Sequence, residues 1–552
     1  MVVELPDADI TRILVRPCDP KFGDYQSNAL MALAKQRKMN PRELAASVSA
    51  RLDVSEWCGE VEIAGPGFLN FHLKPEAIEA VLCGVASGGA LFYEPAIEPR
   101  TIVVDFSSPN VAKPMHVGHI RSTILGDSLA RVLRLLGHSV ITDNHIGDWG
   151  TQFGMLLLGW KEQLDEAALA ADPIAEMERL YKGVNSDESQ RKDARAELVK
   201  LQSGDAENRE LWQKMIDLSQ EQFDTVYHRL GVTFDYTLGE SFYNDELAGV
   251  VGALTQSKVA EESEGALIVA FSDDPKLKGQ PAIVRKSDGA ANYTTTDLAT
   301  LQHRHLEWSP DEIIYVTDGR QQLHFQQLFA IHRRWQPDVK SRLEHVWFGS
   351  ILGPDRKPFK TRSGEVVRLA ALLDEAEERA FAVVTEKNPD LEEASRREIA
   401  RIVGLGALKY ADLSNNRQSD YIFDWDKMLA LQGNTAPYLL YAYTRVRSIF
   451  RKGEIDDISG ARIKLAAPEE LALAKHLLNF GACLELVAAE YRPNFLCTYL
   501  YELAGHYARF YEACPVLQSG AEKQSRLALC DLTARVLKEG LAALGIEVTE
   551  KM

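Results

Sequence analysis

The sequence predicts an α/β protein in three parts. A central unit is built on a parallel sheet, with a small α+β unit ahead of it and an all-helical unit behind it. Three observations carry that expectation. The run Ile102 to Phe106 is apolar, β-branched and of strand length, and Ser107, Ser108 and Pro109 stop it. From Ile120 the period becomes helical, with Ile120, Ile124, Leu125, Leu129, Val132, Leu133 and Leu136 in step. Gly137 then ends the helix and Ser139 to Thr142 starts a second strand. Beyond about residue 371 the apolar residues keep helical spacing, as in Leu496, Leu500, Leu503, Tyr507 and Phe510.

Composition bounds the rest. A chain of 552 residues has room for about three or four domains. No window approaches 18 uninterrupted apolar residues, so no membrane span and no membrane partner are expected. MVVELPDADI has neither a basic n-region nor an apolar h-region, which argues against a secretory signal. The seven cysteines never fall at C-x-x-C spacing, a pattern of reduced thiols in a cytoplasmic chain without a structural metal. A net charge of −18 opposes indiscriminate nucleic-acid binding and excludes DNA as the expected partner. RNA contact would need local basic or aromatic patches.

Residues 1–98 are expected to form the small unit, with helices beside an antiparallel sheet. Ala29, Leu30, Leu33 and Ala34 give a helical pattern, and Gly65-Pro66-Gly67 turns into the strand Phe68 to Leu73. Residues 99–370 form the central unit. Within it, 155–230 is charged and helical, a connective insertion. A second half begins near Ala282 and contains the buried strand Ile313 to Val316. Residues 371–552 form the helical unit, with Pro493 near the start of one helix and Leu529, Leu532, Val536 and Leu541 continuing its core.

The right-handed crossover places the loop after the first central strand at the carboxyl edge of the sheet. That loop carries Lys113 and His116-Val117-Gly118-His119 as it enters the helix. A helix N-terminus offers unpaired N–H groups and partial positive charge to a phosphate. Gly118 lets a ligand ring approach the backbone. Two imidazoles three residues apart can hydrogen-bond one phosphate, and Lys113 adds a mobile charge. The chain has no Gly-x-x-x-x-Gly-Lys-Ser/Thr loop.

Ser108-Pro109-Asn110-Val111-Ala112-Lys113-Pro114-Met115-His116-Val117-Gly118-His119-Ile120-Arg121-Ser122 resembles the HIGH-motif region of class I aminoacyl-tRNA synthetases. Its Ser-Pro-Asn lead-in and the later Gly147-Asp148-Trp149-Gly150-Thr151-Gln152-Phe153-Gly154 resemble the arginyl-tRNA synthetase family in particular. Matching motifs run from near residue 22 to Met552. The resemblance implies a Rossmann-type nucleotide-binding catalytic domain with a helical insertion and an all-α anticodon-binding bundle. It implies ATP, accompanied by Mg²⁺, and L-arginine as substrates, and tRNA(Arg) as partner. Activation of arginine before bound tRNA arrives is not expected in this family.

The resemblance also assigns residues. His116, Gly118 and His119 would bind ATP. Phe359-Lys360-Thr361-Arg362-Ser363-Gly364 occupies the place of the KMSKS signature but lacks its second lysine. Lys113 is placed to substitute for that lysine, with Lys360 and Arg362 closing over the triphosphate. Alone, this stretch reads as a basic surface loop.

Tyr293 and Asp297 stand at i and i+4, one above the other in a helix. Alone they read as a packed tyrosine beside a capping aspartate; the resemblance makes them ligands of the arginine side chain, with Glu240 and Gln321. A phenol and carboxylates suit the five-donor guanidinium fork. Ser108, Asn110 and His116 would meet the backbone end of the amino acid. Phe68 and Asn70 match residues that read the tRNA D-loop, and Tyr438, Tyr441 and Arg445 share a helical face in the anticodon-binding region. Core packing is the alternative for each of these. A synthetase for another amino acid, a nucleotidyltransferase and a catalytically silent RNA-binding relative are the rival functions.

Overall fold

In the computed structural model, which describes residues 15–19, 21–359, 367–455, 458 and 460–552, the chain opens on a small antiparallel sheet. Its strands Arg16–Pro17 (β1), Tyr25–Ser27 (β2), Glu62–Ala64 (β3) and Phe68–Phe71 (β4) lie in the order β1-β2-β4-β3. Helices Ala29–Arg37 (α1) and Pro41–Ser49 (α2) pack on it through Leu30, Leu33, Leu44, Leu69 and Phe71. Asn40 caps α2 by accepting from the Arg42 N–H, and Pro41 occupies the position where a missing N–H costs nothing. Helix Pro75–Ala86 (α3) follows in sequence but packs elsewhere. Its Ile78, Leu82 and Val85 enter the large core shared by the central sheet and the C-terminal helices. The described residues before β5 thus hold two packing environments.

The central sheet contains Thr101–Phe106 (β5) and Ser139–Asp143 (β6), joined by helix Val117–Leu135 (α4). Gly137, at φ 83°, turns the chain out of α4 as its position predicts. The helix lies so close to β5 that a Cβ on Gly126 would sit 2.2 Å from the Phe106 ring. Five helices then form the insertion: Gln152–Gln163 (α5), Glu166–Ala171 (α6), Pro173–Ser186 (α7), Glu188–Ser203 (α8) and Ala206–Leu230 (α9). They have their own core around Phe153, Leu156, Trp160, Met177 and Leu201. The last turns of α9 return to the main core through Phe223, Val226 and Leu230.

A 3₁₀ turn, Glu240–Glu246, leads to Leu247–Gln256 (α10). Strands Glu261–Ser263 (β7), Ala266–Val269 (β8) and Ala282–Arg285 (β9) then form a separate antiparallel sheet. The segment from Ala282 therefore starts in this side sheet. Helix Tyr293–Trp308 (α11) carries the chain back to Glu312–Val316 (β10), a fully buried strand. After the 3₁₀ turn Gly319–Gln321 come Gln322–Trp335 (α12), Arg342–His345 (β11) and Ile351–Leu352 (β12). The central sheet has the order β11-β10-β5-β6, every pair parallel, so the loops after β5, β6 and β10 open on one edge.

The helical part comprises Leu369–Lys387 (α13), Glu393–Leu413 (α14), the short strand Tyr421–Ile422 (β13) beside β12, Trp425–Met428 (α15) and Ala436–Gly453 (α16). It ends with Pro468–Leu478 (α17), Phe480–Glu490 (α18), Asn494–Ala513 (α19) and Lys523–Ala543 (α20). The predicted stripe Leu496, Leu500, Leu503, Tyr507 and Phe510 is buried along α19. Pro468–Glu490 is apolar enough to reach a mean hydropathy of 1.4, but it breaks at Asn479 into α17 and α18. One side chain bolts this part to α4. Arg121 of α4, 1% exposed, pairs with Asp412 at 3.0 Å and donates to the carbonyls of Gly349 (2.7 Å) and Ser419 (3.2 Å). Nε and one terminal nitrogen are thus paired, which offsets much of the cost of burying the charge.

Candidate active site

The loop leaving β5 is strained and held from several sides. Ser107 and Ser108 both adopt positive φ, 74° and 48°, which costs a non-glycine residue about 1–3 kcal/mol. Ser107 N–H donates to Ser122 Oγ (2.8 Å), and its hydroxyl bonds Thr123 Oγ1 (2.9 Å) and Tyr227 Oη (2.8 Å). Ser108 N–H donates to Asn144 Oδ1 at 3.0 Å, so the turns after β5 and β6 support each other. The Ser108 hydroxyl donates back to Asp105 at 3.2 Å. Asn110 lies against Gly147, where a Cβ would come within 2.3 Å of its Oδ1.

At the mouth of α4 the two histidines cap the helix. His116 Nδ1 accepts the Gly118 N–H (3.0 Å), and His119 Nδ1 accepts the His116 N–H (3.0 Å). The Val117 N–H donates to Val367 O (2.9 Å) and the His119 N–H to His116 O (2.8 Å). The expected unpaired N–H groups are therefore occupied. The nitrogen that the cap leaves unused on each ring is Nε2. With Nδ1 accepting, a neutral imidazole carries its proton on Nε2 and donates from there. Both rings are neutral near pH 7. Burial, then the Arg320 charge, lowers the His116 pKa. Burial, then His116, lowers that of His119 to about 3. The rings lie 4.0 Å apart. A Cβ on Gly118 would stand 2.8 Å from His116 Cε1, so this glycine makes room for the protein's own imidazole.

On the same edge of the sheet stands a group of acidic residues. Asp297 is in the first turns of α11, with Tyr293 one turn before it and 59% exposed. Asp297 Oδ2 lies 2.5 Å from His324 Nε2. Glu240 opens the 3₁₀ turn with its N–H on Ile146 O (3.1 Å). Burial raises its carboxyl to about 7; His145 opposes that rise, while Asp297 and Asp148 add to it. These influences put the three carboxyls in one neighbourhood. Asp148 is fixed by Ser241, which donates from N–H (2.8 Å) and hydroxyl (2.6 Å). Gln321 ends its 3₁₀ turn next to Arg320, the residue whose charge reaches His116.

Helix α11 is locked to the sheet by Arg304, buried and paired with Asp105 (2.6 Å) at the end of β5 and Asp143 (2.7 Å) at the end of β6. The residues predicted from different stretches, namely Ser108, Asn110, His116, His119, Glu240, Tyr293, Asp297 and Gln321, thus surround one edge of the sheet.

Other predicted residues lie differently. Lys113 is exposed, its ammonium 5.8 Å from the Tyr181 ring of α7. Lys360 and Arg362 fall outside the described residues; the flanking Val367 and Arg368 bridge to Val117 and His116, beside the histidine pair. Arg368 also pairs with Asp172 of the insertion at 2.9 Å. Phe68 is half-buried on β4. Asn70 is buried, accepting from Gln26 (2.7 Å) and donating to Glu62 (3.5 Å). On α16, Tyr441 is exposed, Tyr438 lies 5.6 Å from the Tyr501 ring and the Arg445 guanidinium sits 4.3 Å over Tyr511.

Sequence reasoning missed His324, His145, Asp148 and Arg304 as parts of the site. His324 stands three positions after Gln321, within reach of discovery. Arg304 carried no signal, because nothing local shows that its face of α11 is buried.

Comparison with known proteins points one way. The family model for the catalytic domain of class I tRNA synthetases (R) matches residues 86–425. Those for the arginyl tRNA synthetase N terminal domain and the DALR anticodon binding domain match residues 2–73 and 439–552. An arginine–tRNA ligase of Laribacter hongkongensis is 49% identical over 99% of this chain and 97% of its own. Arginyl-tRNA synthetase structures from Plasmodium falciparum and Thermus thermophilus each superpose with a TM-score of 0.84. They share 30% and 28% identity, over 98% of this chain and 95% and 96% of theirs.

Proposed function

The chain belongs to the arginyl-tRNA synthetase family, and from that premise we propose how its residues divide the ligation of L-arginine to tRNA(Arg). In the first step a carboxylate oxygen of arginine attacks the α-phosphorus of ATP in line. The bond to the β-phosphate oxygen breaks, leaving arginyl-adenylate and pyrophosphate. In the second, the 2′-hydroxyl of the terminal tRNA adenosine attacks the acyl carbon and AMP leaves. No covalent protein nucleophile is required; orientation and charge stabilisation do the chemistry.

His116 and His119 donate from Nε2 to phosphate and ribose-side oxygens, as neutral groups that need no proton transfer. Lys113, Lys360 and Arg362 neutralise charge on the transferring and leaving phosphates, and Mg²⁺ arrives with ATP as part of the substrate. For this Lys113 must leave Tyr181. Gly118 serves the ATP site by leaving room for the His116 imidazole. Tyr293, Asp297, Glu240 and Gln321 take the guanidinium, while Ser108, Asn110 and His116 lie nearer the amino-acid backbone. Phe68 and Asn70 serve the D-loop, and Asn70 must exchange an internal partner to do so. Tyr438, Tyr441 and Arg445 serve the anticodon. Activation requires bound tRNA, and the enzyme works in the cytoplasm.

The observation that carries this reading is a cluster of carboxyls on the same sheet edge as two neutral imidazoles whose Nδ1 atoms are taken by the helix cap, which leaves Nε2 to donate. Pyrophosphate exchange with each amino acid, with and without tRNA, tests it. Exchange should appear with arginine and tRNA together. In that assay Asp297→Ala should raise the KM for arginine by about 10- to 100-fold, the range for a hydrogen bond to a charged group, and leave that for ATP nearly unchanged. Equal effects on both substrates would reject the pocket.

A further inference from the structure

We infer that His324 is a positioning and specificity-determining residue for the amino acid, acting through Asp297. The inference rests on the reading of Asp297 as a guanidinium ligand and goes beyond it.

His324 is in the first turn of α12, directly after the 3₁₀ turn that ends at Gln321, and its side chain is 13% exposed. Its Nε2 meets Asp297 Oδ2 at 2.5 Å. An ionised carboxylate only accepts, so the imidazole donates from Nε2. The same ring packs edge-on against Tyr293, centroids 4.8 Å apart at 66°. It is also held on its other side by Phe325, at 5.2 Å. His324 therefore touches two of the proposed guanidinium ligands and lies one turn from a third.

The consequence is geometric. Asp297 has two oxygens, and among the described residues His324 is the one side chain that hydrogen-bonds either of them. With Oδ2 held, the carboxylate cannot spin, and Oδ1 keeps a fixed direction toward an incoming cation. Oδ1 is then the unencumbered oxygen, and a guanidinium N–H set on it directs the other N–H groups toward Glu240 and the Tyr293 hydroxyl. A ligand with one donor too few leaves one of these groups unpaired, and selectivity arises from that penalty. Without His324 the carboxylate is free to turn away.

The experiment compares His324→Leu, which keeps bulk and removes the donor, with His324→Gln, whose amide can still donate. KM for arginine, KM for ATP and Tm are measured in tRNA-supported pyrophosphate exchange, with Asp297→Ala alongside. The leucine variant should raise the arginine KM about 10- to 100-fold, as for one hydrogen bond to a charged group, with the ATP KM within about twofold. The glutamine variant should recover most of that loss. On the Asp297→Ala background, His324→Leu should add little, because its target is gone. Should the leucine variant fail to fold, His324→Asn, too short to reach Oδ2, takes its place. An unchanged arginine KM, an equal rise for ATP, or no rescue by glutamine would each overturn the inference. If Asp297→Ala itself leaves the arginine KM unchanged, the pocket reading fails; if only the His324 variants are silent, that reading stands and this one falls.

Discussion

With Glu240 in its proposed role, its raised carboxyl should make arginine binding dependent on pH, and the sign can be worked out. Its ordinary value is 4.5 and the empty slot holds it at about 7, chiefly by burial, with Asp297 and Asp148 adding to the rise. That difference disfavours the ionised form by about 3 kcal/mol. A guanidinium prefers the ionised form, so binding pulls a proton off. Below about pH 7 each further unit of acidity should weaken arginine binding roughly tenfold; above it affinity should level off. The ligand-free fold should respond in the opposite sense. A carboxyl whose folded pKa is raised contributes progressively less stability as pH climbs from 4.5 to about 7, because the unfolded chain ionises first. Glu240→Gln keeps the shape and removes the titration. Its affinity at pH 8 should drop about 10- to 100-fold for loss of a charged partner, and the slope between pH 6 and 7 should flatten. Calorimetric titration with arginine at pH 7, in two buffers of different ionisation enthalpy, should report about half a proton released per arginine by the native protein, as linkage requires. Buffer-independent heats, or a slope that the glutamine variant keeps, would refute the reasoning.

Three further outcomes are expected. Lys113→Ala should slow single-turnover adenylate formation while tRNA affinity stays nearly intact, since charge near the phosphates is lost and no RNA contact is; a normal rate would reject its role. Arg304→Met should destabilise the fold by about 3–5 kcal/mol in denaturant titration, because Asp105 and Asp143 are left as unpaired buried carboxylates. A cost below about 1 kcal/mol, the level of a surface pair, would show that water reaches them. Gly118→Ala should push the His116 ring off its cap, given the 2.8 Å approach, and lower kcat with little change in Tm; an unchanged kcat would mean the ring has space to move.

Much of this was legible because local pattern and tertiary role agree. Ile102 to Phe106, the α4 stripe and Gly137 each need only neighbours in sequence to be understood, and they delimit the loop bearing His116 and His119. The limits appear where a distant residue decides. Free N–H groups at the start of α4 were expected, but Val367, far downstream, supplies the acceptor for Val117, and the histidine rings take two more. Helix α3 follows the small sheet without a break in composition, yet Ile78, Leu82 and Val85 find their partners in the C-terminal half. Glu240 stands in an unremarkable polar stretch; only folding gives it the neighbours that raise its carboxyl. Tyr293 and Asp297 had a bland local reading, which no helical periodicity contradicted.

The capping bonds of the two histidines have a bearing on acidity at the other end of the crevice. Each ring is fixed by a main-chain hydrogen at Nδ1, and His119 takes up a proton only near pH 3. Mild acid therefore leaves the His119 ring neutral, while Glu240 takes up a proton and is lost as a partner for a cation. On the proposed division of roles, a modest fall in pH should loosen the hold on the amino acid before it changes the charge of His119.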